Sequence, residues 1–329
     1  MTGSRLSHAL ETGQAVLPPG PVAVFRPPAG AELGNLGPDR CTVITGFRPD
    51  FEHWQARGYD CLPEAGGGSY AAAVVFVPRT RAFARAILAE ALHAAGGPVI
   101  VDGQKTDGIE SLLKAARNAG LQVGAPVSMR HGKLAEISGR PPADWHASEA
   151  VIEGGWITLP GVFSADAVDP ASALLADALP PGLGGRVADL GAGWGYISAR
   201  LLQRAPGVVE CHLIEAEFAA LTAARRNISD ARARFCWEDA GRFADADGFD
   251  HVVTNPPFHA GRRPDPALGL AFIAAAARLL RPKGSLWLVA NRHLPYEEAL
   301  KVRYAAVTEL AGTPAFKLLR ADRPGPGRG

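Results

Sequence analysis

Arg186-Val187-Ala188-Asp189-Leu190-Gly191-Ala192-Gly193-Trp194-Gly195 decides the fold. The run up to Leu190 reads as a buried strand, and the glycines after it let the backbone turn sharply and let a ligand lie against it. A helix is expected from near Tyr196, and its first N–H groups favour an anionic or polar ligand. A dinucleotide fingerprint has the spacing G-x-G-x-x-G. Here the spacing is G-x-G-x-G, with Asp189 two residues before the first glycine. A carboxylate at a strand end repels a pyrophosphate and attracts an ammonium group. S-adenosylmethionine carries an ammonium and a sulfonium but no phosphate, so Asp189, Gly191, Gly193 and Gly195 suit that cofactor better than NAD.

Downstream, Val209 to Ile214 reads as the next strand and ends in Glu215, an acid placed to accept both hydroxyls of a ribose. A helix follows from Phe218 to Asn227. After the next strand, Asp239 is the choice to accept an adenine amino group, with Glu238 its rival. Phe249 to Thr254 leads to Asn255-Pro256-Pro257-Phe258-His259. Two prolines cannot continue a ladder, so the chain leaves the sheet there with a rigid backbone. The Asn255 carboxamide and the Pro256 carbonyl can accept two hydrogen bonds from one –NH2 group. Phe258 offers a flat face for a planar ring. Such strand ends converge on the carboxyl edge of one sheet, where ligands of open α/β folds bind.

Upstream, Ile157 to Ser164 opens this half, and Asp169 or Asp166 can cap a helix over Pro170–Ala178. Phe163 either closes over the cofactor or belongs to the core. Ser138 to Ala150, with its Gly-Arg-Pro-Pro string, reads as a linker. Before it, strands Val22–Phe25, Thr42–Ile44, Ala72–Val77 and Pro98–Val101 alternate with helices over Arg81–Ala95 and Gly108–Ala119. This half looks like a worn copy of the second. Aligned on the prolines, Val77 stands where Asn255 stands and Thr80 where Phe258 stands. No acid-then-glycine loop follows a strand here, so no catalysis is assigned to it. Lys105, Arg117, Arg130 and Lys133 are available to phosphate or are solvated surface charge.

The 329 residues suggest two domains, divided as 1–147 and 148–320, with 321–329 a disordered Pro/Gly tail. A net charge of +1 gives no global basic signature, so nucleic-acid binding needs a local patch or a substrate already packaged by protein. The four cysteines have no metal-ligand spacing and read as reduced thiols of a cytoplasmic protein; no metal is expected. No apolar run is long enough to span a bilayer.

With Asp189 to Gly195, Glu215, Asp239 and Asn255 to His259 together, the second half resembles a class I S-adenosylmethionine-dependent methyltransferase. Pro160-Gly-Val-Phe-Ser164, Ala290-Asn-Arg-His-Leu-Pro-Tyr296 and Phe316-Lys317 narrow the resemblance to ribosomal RNA guanine-N2 methyltransferases of the small-subunit RsmC type and their large-subunit relatives. It covers nearly all of residues 157–320 and the first half less closely. The resemblance implies a Rossmann-like, mostly parallel seven-stranded sheet with helices on both faces, preceded by a degenerate methyltransferase-like α/β domain. It implies methylation of the N2 amine of a guanine in 16S rRNA, on the 30S subunit, by a monomer that needs no membrane. A flipped guanine would stack on Phe258, with Asn255, Pro256 and Pro257 shaping the acceptor site. His259 would take a proton or only shape the loop; Arg262, Arg263, Arg292 and His293 are candidates for RNA contact. Alternatives are another planar amine (23S rRNA guanine, protein glutamine, DNA adenine), an NAD oxidoreductase, or a non-catalytic RNA-binding module.

Overall fold

The computed structural model describes residues 4–257, 259–260, 263–264, 266–310 and 312–325. The chain forms two units, Met1–Ser148 and Glu149–Gly329. In the first, α1 (Arg5–Glu11) precedes β1 (Val22–Phe25), β2 (Cys41–Ile44), α2 (Arg48–Ala56), β3 (Asp60–Leu62) and β4 (Ala72–Phe76). Then come α3 (Arg81–Ala94), β5 (Val99–Gln104), α4 (Ile109–Asn118), β6 (Gln122–Val123), β7 (Val127–Met129) and β8 (Gly132–Ser138). The sheet order is β3-β2-β1-β4-β5-β8-β6, with β7 also on β8. Strands β1 to β5 run parallel and β8 antiparallel to β5. Val22–Phe25 and Ala72–Val75 are buried along their length, which is why these strands read as continuous apolar runs rather than alternating ones.

The second unit starts with a two-stranded ribbon, β9 (Ala150–Val151) and β10 (Ile157–Thr158). It continues α5 (Pro170–Ala178), β11 (Gly185–Leu190), α6 (Tyr196–Arg204), β12 (Val208–Glu215), α7 (Phe218–Asn227), β13 (Ala233–Trp237) and β14 (Phe249–Thr254). After a short pair, β15 (His259–Ala260) and β16 (Arg263–Pro264), come α8 (Pro266–Leu279), β17 (Leu280–Asn291), α9 (Tyr296–Arg303), β18 (Tyr304–Leu310) and β19 (Phe316–Pro324). The seven-stranded sheet has the order β13-β12-β11-β14-β17-β19-β18, parallel except at β19. Apolar clusters lie on its two faces, one with α6 and α7, the other with α8 and α9. This is the class I methyltransferase arrangement expected from the sequence.

Three expectations are corrected. Residues 321–324 are not a tail but the end of β19. Ala321 is buried between Leu286 and Val307, and Asp322 accepts from Ser285 Oγ. Pro324 is tolerated because it is the strand's last residue. The segment read as a linker is partly core of the first unit: Trp145 is buried with α3, and the Arg85 guanidinium lies over its ring, 5.4 Å from the centroid. Finally, the sequence alignment of the two halves is one residue out of step. Arg26 N–H donates to Ile44 O just as Gly191 N–H donates to Ile214 O, and Phe25 pairs with Val75 as Leu190 pairs with Thr254. Phe76, not Val77, therefore stands at the place of Asn255. The prolines mislead the alignment because their spacing from the strand end differs between the halves.

Candidate active site

The glycine loop runs from β11 into α6. Gly191, Gly193 and Gly195 all take positive φ, at 71°, 56° and 88°. At Gly195 a Cβ would lie 2.9 Å from Ile228 Cδ1 and 3.2 Å from Ala224 Cβ, so the loop packs directly against α7. At Gly193 a Cβ would meet nothing within 4 Å; this is the loop's open side. The loop is braced from beneath by side chains that the sequence reading passes over. Asn227, the last residue of α7, accepts from Ile157 N–H at 2.8 Å and donates to the carbonyls of Ile157 and Trp194, each at 2.9 Å. Trp156, Trp194 and Tyr196 pack in a cluster with ring centroids 5.3 to 5.7 Å apart. Trp194 Nε1 donates to the Phe163 carbonyl at 3.1 Å.

That last bond ties the Pro160–Ser164 corner to the loop. Ser164 takes φ 53°, and the corner leaves Phe163 56% exposed. Of the two readings of Phe163, core is excluded. Phe163, Ser164, Gly191 to Trp194, Tyr196, Ile197, Asp169, Ser172 and Asn255 line one cavity. Its water-accessible volume is about 30 Å³. So the structure brings together Phe163, the glycine loop and Asn255, residues up to 92 positions apart (255 − 163).

The acids occupy different depths. Asp189 is fully buried under the loop and does not line the cavity. Its Oδ2 accepts from Ser198 Oγ at 2.7 Å, while Oδ1 has no partner among the described residues. Burial pushes its carboxyl up to about 7, against the opposing pull of Ser198; the charge of Glu215 adds to the rise. Behind it, Cys211 donates to Ser198 Oγ at 3.4 Å, and burial pushes that thiol up to about 12. Glu215 ends β12 and grips backbone: Oε2 accepts from Gly193 N–H at 2.8 Å and Oε1 from Glu217 N–H at 2.7 Å. Burial raises its carboxyl as well, and these N–H bonds oppose the rise. Each carboxylate oxygen has a second lone pair, so capacity to accept from a ligand remains. Asp239 Oδ1 accepts from Gly241 N–H at 2.8 Å, which shapes the turn after β13.

Asn255 follows the last residue of β14. Its Nδ2 donates to Asp169 Oδ2 at 2.9 Å and to Ser172 Oγ at 3.0 Å. Asp169 is also the N-cap of α5, accepting from Ser172 N–H at 2.8 Å; of the two caps read from the sequence, this is the one used. Pro256 is buried and Pro257 exposed. Phe258 and Arg262 lie outside the described residues, as do the side chains of His259 and Arg263. Arg292 is engaged at all three nitrogens, to Glu309 Oε1 at 2.8 Å and to the carbonyls of Thr313 and Phe316. Phosphate would have to compete with these, so Arg292 reads as a clamp on the end of β17. His293 beside it is exposed. Lys317 is buried and donates to the Leu294 carbonyl and to Glu297, fixing the loop that carries His293.

The methyltransferase small domain family matches residues 153–320. The chain belongs to that family. Among curated relatives, "Ribosomal RNA small subunit methyltransferase C" of Hahella chejuensis is 33% identical over 237 residues, covering 67% of this chain and 68% of its own. The protein of the same name from Shewanella amazonensis is 30% identical over 311 residues, covering 87% and 90%. Among solved structures, a T. thermophilus 16S rRNA N2 methyltransferase, RsmC, in complex with AdoMet and guanosine, aligns with a TM-score of 0.80 at 29% identity. That match covers 97% of this chain and 92% of the other, so the likeness extends through both units. Among the described residues no group of His, Cys, Asp and Glu could hold a metal ion, the four cysteines are unpaired, and no helix is long and apolar enough to cross a membrane.

Proposed function

We propose that this chain transfers the methyl group of S-adenosylmethionine to the exocyclic N2 amine of a guanine in 16S rRNA, working as a monomer on the assembled 30S subunit in the cytoplasm. The observation that carries the reading is the shared cavity: Asn255, at the carboxyl end of β14, faces the same space as the glycine loop after β11. The residues fit the cofactor. The open side of Gly193 and the exposed Phe163 ring suit an elongated ligand, and the Asp189 carboxyl buried beneath the loop favours a cationic end through its charge alone. At about 30 Å³ the cavity takes only the tip of such a ligand. Its remainder would lie along the rim, with Glu215 at the ribose and Asp239 at the adenine.

The bound cofactor supplies an electrophilic methyl group. The chain's own work is placement. Asn255 Oδ1 and the Pro256 carbonyl accept the two N2 hydrogens, Phe258 stacks on the flipped base, and the amine lone pair is thereby kept out of the ring and aimed. No strong base is obligatory, because the proton leaves once the nitrogen is cationic; His259 would take it or only shape the loop. We read the first unit as a methyltransferase-like domain that has lost this chemistry, since it repeats the strand order without the loop. Asn255→Ala tests the proposal. Methyl transfer to 30S subunits should fall by roughly 100- to 1,000-fold with cofactor affinity nearly intact. Transfer at the wild-type rate would refute the role of Asn255. Labelled-methyl transfer to free rRNA or to protein in preference to 30S subunits would redirect the substrate.

A further inference from the structure

The Asn255 carboxamide has two orientations that differ by exchange of its oxygen and nitrogen, and only one of them can serve an amine substrate. With oxygen toward the substrate it accepts an N–H; with nitrogen toward it, it meets the amine with another donor. Neighbours must therefore fix the orientation. In this chain two acceptors sit on one side of the group: Asp169 Oδ2 at 2.9 Å and Ser172 Oγ at 3.0 Å, both bonded to Nδ2. A carboxylate accepts only. Rotating the amide would set oxygen against the Asp169 oxygen and lose a charge-assisted bond. Both Nδ2 hydrogens are committed, which leaves Oδ1 as the group's one working atom.

Asp169 is itself held. It caps α5, with Pro170 at the first helical position, and the same Oδ2 accepts from Ser172 N–H. Ser172 is buried, and both residues line the cavity with Asn255. We infer that Asp169, seconded by Ser172, is a positioning residue that locks the Asn255 carboxamide with its oxygen toward the acceptor amine, and so selects an –NH2 over a carbonyl at that point of the substrate. The inference rests on the proposed role of Asn255 and deepens it. The helix cap and the amide lock are one device: α5 cannot unwind at its start without releasing Asn255.

Asp169→Asn weakens the lock: one Asp169 oxygen serves both the cap and Asn255, so an asparagine that keeps its oxygen there holds Asn255 only through a neutral bond, and one that turns its nitrogen there loses cap and lock together. Its kcat on 30S subunits should fall roughly 10- to 100-fold, the worth of one hydrogen bond to a charged group. The Kd for S-adenosylmethionine and the KM for 30S subunits should stay close to wild type. Ser172→Ala, which removes one acceptor and keeps the cap, should lose less in the same parameter. The deciding variant is the exchange Asp169→Asn with Asn255→Asp. Asn255→Asp alone sets two carboxylates against each other. In the pair, the amide introduced at position 169 would donate to the carboxylate introduced at position 255, giving up its cap bond to the Ser172 N–H. One fixed acceptor oxygen would again face the substrate, so the double variant should be faster than the product of the two single losses allows. Unchanged kcat in Asp169→Asn, a loss confined to cofactor Kd, or strictly additive effects in the pair would overturn the inference. Asn255→Ala separates the two levels: if it is inactive while Asp169→Asn is not, only the lock fails; if it is active, the role of Asn255 fails first.

Discussion

The two sheets of this chain have the same strand order and opposite fates at their carboxyl edges. In the second unit β11 is followed by Gly191 at φ 71°, and a helix begins at Tyr196. In the first, β1 is followed by Arg26 at φ 55°, with the same N–H bond to the neighbouring strand. Pro27 and Pro28 follow, and no helix lies between β1 and β2. A left-handed turn is thus present in both, but an arginine there costs about 1–2 kcal/mol and fills the space a glycine leaves open. Where the second unit has Asn255, the first has Phe76. Its edge holds a cavity of about 580 Å³ into which Arg5 of α1 reaches. Arg5 pairs with Asp102 at 2.6 Å, both under 8% exposed, and also donates to the Met129 carbonyl. The fold outlives the chemistry because they use different atoms. Strand order depends on buried Val, Ile and Ala side chains inside the sheet, while cofactor binding depends on loop backbone and a few polar tips at its rim.

The sharpest way to break this contrast is Gly195→Val. A left-handed Cβ pressed against Ile228 and Ala224 costs about 2–4 kcal/mol in strain and overpacking. If that cost falls on the loop, cofactor affinity drops roughly 30- to 1,000-fold. Calorimetric titration should find one cofactor site per wild-type chain and none at comparable concentration in the variant. A second binding event, or undiminished affinity, would mean that the first unit has kept a working site or that the loop is not where the ligand rests.

The next contrast is between a cleft rimmed by a glycine loop and one lined by a buried ion pair. Burial holds the Asp102 carboxyl above its ordinary range despite the adjacent Arg5, so the pair is not a net source of stability. Breaking it is another matter. Arg5→Met should cost about 3–5 kcal/mol by leaving Asp102 buried and unpaired. Adding Asp102→Leu should recover most of the loss. Hydrogen exchange of the β1, β4 and β5 amides measures this locally, and methyl transfer per folded molecule should not change. If Arg5→Met leaves those amides as protected as before, Arg5 does not brace the first unit's edge.

What can be read in the sequence and what cannot follows the same division. The glycine loop, Glu215 at the end of β12 and the Asn-Pro-Pro string are each local, and local spacing dictates their backbone. The groups that brace them are not. Asp169 meets Asn255 across 86 residues, and Asn227 meets Ile157 across 70. No periodicity announces such a bond; Asp169 is legible as a cap but not as a partner. The end of β19 misleads for a related reason. Its Pro and Gly suggest disorder, yet pairing with both β17 and β18 holds Ala321 and Asp322 in the sheet. Arg292 suggests a phosphate ligand because it is a cation following a strand, whereas Glu309 and two carbonyls, all distant in sequence, claim it.

The smallest effect is at Asp189, and its sign is diagnostic. In the first unit Val24 holds the corresponding register position, paired to Val43 as Asp189 is to Leu213. Burial is complete at both, but only Asp189 titrates, with its carboxyl raised from 3.8 to about 7. A raised carboxyl means the unfolded chain loses its proton first. Between about pH 4 and pH 7 the folded state therefore binds more protons at this site, and stability falls as pH rises. Ligand binding should run the other way. A cationic cofactor favours the ionised carboxyl, so affinity should rise a few-fold through about pH 7, and binding near that pH should release a proton. Titrations in buffers of different ionisation enthalpy count that proton directly. Asp189→Asn should abolish both trends at once, flattening the stability curve and the affinity curve over the same interval. If the variant keeps either slope, or if the wild-type protein binds cofactor without proton release, the charge beneath the loop is not what distinguishes the second edge from the first.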